Sequence, residues 1–164
     1  MTKGTLIIIY YMDIQEQIAF KKKVIEACKS HLRKAVAQLK NAMDDAQTSA
    51  DEGDQSKDQF DPYRNQMMNR REMFAQQLSR NVEQIELLDR LDPQKISRKV
   101  EYGSVVFTDK QKLFISGGLG KVMVEDIEFF VMSPQVPFFA AIDGLKSGDA
   151  YSFRGQTGTI KEVF

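Results

Sequence analysis

The sequence predicts an α+β chain in which a long antiparallel coiled-coil hairpin precedes a small sheet domain. Residues 13–47 contain neither Gly nor Pro, and apolar or small side chains recur there at alternating intervals of three and four. A second helical tract opens on Asp61-Pro62 and closes on Asp92-Pro93. From residue 104 onward the period changes to short β-branched and aromatic runs divided by Gly, Asp and Lys turns.

The chain has 164 residues, with 23 Lys+Arg balanced by 23 Asp+Glu, so its net charge gives no general affinity for nucleic acid and no sequence-specific DNA binding is expected. One Cys excludes an internal disulfide and a cysteine-based zinc site, and one His excludes an imidazole-rich metal site. A reducing, cytoplasmic setting fits. The apolar stretch from Leu6 to Met12 is far shorter than the roughly 18 residues of a membrane helix, and no small-residue cleavage site separates it from Lys21-Lys22-Lys23. It reads as a short strand or as a dispensable lead, residues 1–11, with Met12 as the initiator.

The hairpin spans residues 12–93. Its first seam uses Ile18, Ile25, Cys28, Leu32, Ala35, Leu39, Ala42 and Ala46, with Lys21 as the break. The second helix, residues 62–91, uses Met67, Phe74, Leu78, Ile85 and Leu88, with Arg71 and Asn81 as polar interruptions. At about 1.5 Å per residue, helices of about 35 and 30 residues make a rod of roughly 45 to 50 Å. Cys28 lies on the seam and His31 beside it, and both read as packing or flank residues.

A basic linker, residues 94–101, leads into a domain at 102–164. Strands are expected at 104–108, 112–116, 121–124, 127–132, 150–154 and 157–163, with a short helix at 138–142 laid on the sheet. About 65 residues is near the size at which one core becomes marginal, so docking onto the hairpin or a partner would help it. Gly117-Gly118-Leu119-Gly120-Lys121 lacks the spacing of a phosphate loop and is expected to be a hairpin turn. Phe138-Phe139 reads as core.

Charge is sorted along the hairpin. Residues 20–40 carry Lys21, Lys22, Lys23, Lys29, Arg33, Lys34 and Lys40 against Glu26, whereas residues 41–61 carry Asp44, Asp45, Asp51, Glu52, Asp54, Asp58 and Asp61 against Lys57. The returning helix is basic again with Arg64, Arg70, Arg71 and Arg80. An acidic tip near 44–61 between basic stems is a solvated loop in the plainest reading. In the sharper one its carboxylates are hard oxygen ligands able to complete the shell of a Mg²⁺ held mainly by another molecule, since no calcium-loop spacing occurs and no stable site of its own is expected.

Two stretches resemble the Gre transcript-cleavage factors of bacterial RNA polymerase. Gly53-Asp54-Gln55-Ser56-Lys57-Asp58-Gln59-Phe60-Asp61 is similar to the family's G-D-x-x-E-N-x-E-Y loop, and Ser133-Pro134 followed by Gly144-Leu145-Lys146-Ser147-Gly148-Asp149 is similar to its S-P…G-K-x-x-G-D signature. The resemblance covers about residues 13–164 in the same order. It implies a C-terminal FKBP-like domain that docks at the rim of the polymerase secondary channel while the coiled coil enters it. Tip carboxylates, here Asp54 and Asp58 with Asp51 and Glu52 beside them, would then help hold the polymerase's second Mg²⁺ so that backtracked RNA is cleaved. On this resemblance the chain has no catalytic residue and no cofactor of its own, and Lys34, Lys40, Arg64, Arg70 and Arg71 are candidate contacts to polymerase or RNA.

The departures from the family are specific. In direct register the family's essential Glu falls on Lys57 and its Asn on Asp58, and the spacing from Ser133-Pro134 to Gly144 is about three residues longer. Either a one-residue shift brings in Asp58 as the second carboxylate, one helical turn from Asp54, or the protein occupies the channel without supporting cleavage. Two rival classes are a peptidyl-prolyl isomerase, from the FKBP-like half, and a structural or chaperone-like coiled coil.

Overall fold

The computed structural model describes residues 12–52 and 61–164. Its elements are α1 (Ile14–Glu52), α2 (Pro62–Asp89), β1 (Val105–Thr108), β2 (Lys112–Ile115), β3 (Gly120–Val124), β4 (Ile127–Met132), α3 (Pro137–Ile142), β5 (Ala150–Phe153) and β6 (Gln156–Val163). The architecture is α+β, two long helices and a six-stranded sheet. The expected lead at 1–11 lies outside the described residues. Two compact units form: Lys29–Asp89, and the residues up to Cys28 together with Arg90–Phe164.

Helix α1 begins with a capping box, Glu16 N donating to Asp13 Oδ1 at 2.8 Å and Asp13 N donating to Glu16 Oε2 at 2.9 Å. It continues past the expected end at residue 47 to Glu52, because nothing breaks the helix before Gly53 and Ala50 is fully buried. Its early turns bury both positions on the seam read from the sequence and positions off it. Gln17, Lys21, Val24, Ile25 and Cys28 are buried within the sheet-bearing unit, and Phe20, off that seam, sits 5.9 to 6.3 Å from the rings of Phe107, Phe129 and Phe164. Burying aromatic rings at such separations adds about 0.5–1.5 kcal/mol per pair to the area they remove from water.

The strand order is β3-β4-β2-β1-β6-β5, with β2 and β4 parallel and every other pair antiparallel. β4 therefore lies between β2 and β3, and the glycine-rich segment after Ser116 is a crossover rather than the expected hairpin turn. The turns that do close hairpins carry the required backbone: Arg154 and Gly155 both have positive φ in the two-residue β5–β6 loop. Central strand β1 is buried along its whole length. One face meets Phe20, and the other belongs to a core of Val100, Val106, Leu113, Ile115, Met132, Ile142, Tyr151, Ile160 and Val163, against which Phe138 and Phe139 pack.

The stretch read as a linker is tied into this core. Val100 is fully buried, its N–H donates to Leu145 O at 2.8 Å, and its carbonyl accepts from Gly144 N at 2.8 Å. Lys21, the apparent break in the seam, is only 3% exposed, and its Nζ donates to Lys95 O at 2.8 Å. Burial pulls the Lys21 pKa from 10.5 down to about 8; the Lys95 charge adds to this, while Glu101 and Asp92 oppose it.

Two predictions follow from these contacts. A Cβ on Gly158 would collide with the Tyr151 ring that covers it, so Gly158→Ala should lower stability by about 1–3 kcal/mol in urea unfolding, and trimming the ring in Gly158→Ala/Tyr151→Ala should remove the clash. Between pH 8 and 10.5 the unfolded chain holds a proton on Lys21 that the folded chain lacks, so the cost of burying the charge is full below about pH 8 and is relieved as pH rises. Wild type should therefore gain stability relative to Lys21→Met across that window, and a constant difference would refute the assignment.

Candidate functional site

The acidic residues expected at a hairpin tip fall partly on regular helix. Asp44, Asp45, Asp51 and Glu52 occupy the last turns of α1 and are exposed. Asp51 Oδ1 accepts from Gln47 Nε2 at 2.9 Å, an i,i+4 bond that holds this carboxylate along the helix. Asp54, Lys57 and Asp58 lie outside the described residues. Asp61 caps α2: its Oδ1 accepts from Tyr63 N at 2.9 Å and its carbonyl from Asn65 N at 3.1 Å, with Pro62 at the first helical position.

The two helices of this unit run antiparallel. Lys29 Nζ binds Asp89 Oδ1 at 2.8 Å, while Ala42, Asp45, Ala46 and Ser49 share a cleft with Met67, Arg70 and Phe74, so position along α1 advances as position along α2 recedes. The hydrogen bond from Lys29, helped by its charge and that of Arg33, holds the Asp89 carboxyl below its usual range. Small side chains at 42, 46 and 50 leave room for Met67 and Phe74. Asn81, a polar interruption of the seam, is buried and accepts from Gln77 Nε2 at 3.0 Å.

The basic candidates divide by environment. Lys34, Lys40 and Arg70 are exposed, whereas Arg64 and Arg71 are half-buried. Arg64 Nε is enclosed and has no hydrogen-bond partner among the described residues. Arg70 lines the cleft that also contains Asp45, and a second open cleft with Pro62, Asn65, Gln66, Asn69 and Met73. Among the described residues no three His, Cys, Asp or Glu side chains converge as a metal cage. The exposed carboxylates are hard oxygen donors able to add to a cation held elsewhere.

The second motif is turn chemistry. Ser133 Oγ accepts from Gln135 N at 3.2 Å ahead of Pro134. Gly144 and Gly148 adopt positive φ, 73° and 93°, and Gly148 N donates to Ile160 O at 2.8 Å. Asp149 Oδ2 accepts from Lys146 N at 2.8 Å, and Ser147 Oγ donates to Lys161 O at 2.6 Å. These residues shape the entry to β5. The sequence reading missed Phe20 and the Asp13/Glu16 capping box, although the D-x-x-E spacing signalled the latter.

Asp61→Ala should cost about 1 kcal/mol of stability in thermal or urea unfolding, and Asp61→Ser should retain most of it; an Asp61→Ala variant as stable as wild type would show that the cap contributes nothing.

No helix among the described residues is long and apolar enough to cross a membrane. No protein-family model matches the chain, and no curated protein matches it. Among solved structures it is similar to the crystal structure of GreA factor homolog 1 (Gfh1) protein of Thermus thermophilus, with 17% identity, coverage of 83% of this chain and 94% of that one, and a TM-score of 0.32.

Proposed function

We propose that this chain is a cytoplasmic, Gre-like accessory factor that binds RNA polymerase through its secondary channel. The observation that supports it is the placement of exposed carboxylates. Asp44, Asp45, Asp51 and Glu52 crowd the last turns of α1, immediately before the Gly53 to Asp61 stretch that resembles the Gre loop, in a unit whose two helices run antiparallel. A slender helix pair is the shape a narrow channel admits, and its acidic end matches a magnesium-dependent centre.

The chain's own residues bind and position. Lys34, Lys40, Arg64, Arg70 and Arg71 face the phosphates of backtracked RNA or carboxylates of the channel wall. Asp54 and Asp58, with Asp51 and Glu52 preceding them, offer hard oxygens to the Mg²⁺ of the polymerase, which supplies the Lewis acid that activates water. The FKBP-like half docks at the channel rim. Lys57 decides the chemistry. Its positive charge where the family places Glu either leaves Asp58 to act as the second carboxylate or makes the factor a channel occupant that blocks cleavage by others.

The test is a stalled, backtracked elongation complex in which RNA length is followed with wild type, Asp54→Ala, Asp58→Ala and Lys57→Glu. Cleavage support predicts shortening that falls about 10²-fold when either aspartate is removed. Occupancy predicts no shortening, competition with an authentic cleavage factor, and a gain of cleavage in Lys57→Glu. A protein that neither shortens the RNA nor competes overturns the proposal.

A further inference from the structure

We draw no further inference here: the strongest candidate, the surface patch of exposed Met123 and Phe130 on the neighbouring strands β3 and β4 at the sheet edge, carries nothing because nothing in the structure shows what covers it.

Discussion

The contact between Phe20 and the sheet phenylalanines is the interaction on which the sheet-bearing unit depends. Phe107, Phe129 and Phe164 come from a central strand, its second neighbour and the chain's last residue, and Phe20 brings α1 onto all three. Phe107 also packs against Phe129 edge-on at 5.7 Å and stacks with Phe164 at 6.0 Å. Without α1 this face of a sheet of short strands would expose a phenylalanine cluster to water, at roughly 25 cal/mol per Å². The opposite face is closed independently by α3 and Val100. A domain of this size thus obtains two covered faces by borrowing the first turns of a long helix, which relieves the marginality expected of a small core.

The same helix carries two kinds of information in its periodicity. Up to Cys28 its buried positions answer to the sheet, and from Lys29 onward its residues belong to the unit containing α2. A repeat of three and four describes both environments, because each asks only for one apolar face. Among the carboxylates of the last turns, Asp44, Asp51 and Glu52 are exposed and free of that demand, whereas Asp45 lines the cleft with Ala42 and Ala46. Surface charge can therefore be arranged for a partner without cost to packing. The proposed role uses that freedom at the end of α1.

Much of this was legible in the sequence where local rules govern. Asp61-Pro62 announced the start of α2, and Asp92 closes the turn after it, its Oδ1 accepting from Gln94 N at 2.9 Å. β4 was read with its observed limits, and α3 within one residue. What could not be read depends on distant partners. The parallel insertion of β4 beside β2 is a choice among strand pairings that no local pattern encodes. Phe20 lies off the coiled-coil seam, and its use is set by rings more than eighty positions away. Lys21 looked like a fault in the repeat because its acceptor, the carbonyl of Lys95, is contributed by a turn 74 residues later. In the candidate site, the helix cap and the exposure of Asp51 and Glu52 followed from composition and turn chemistry, whereas Asp54, Lys57 and Asp58 lie outside the described residues.

The most direct measurement of the central claim is site-specific photocrosslinking from position 51 in a complex with RNA polymerase that holds backtracked, 3′-labelled RNA. Crosslinks to the RNA 3′ end and to polymerase segments around the catalytic magnesium are expected. Crosslinks confined to the outer surface of the polymerase, or none at concentrations that saturate binding, would contradict that claim.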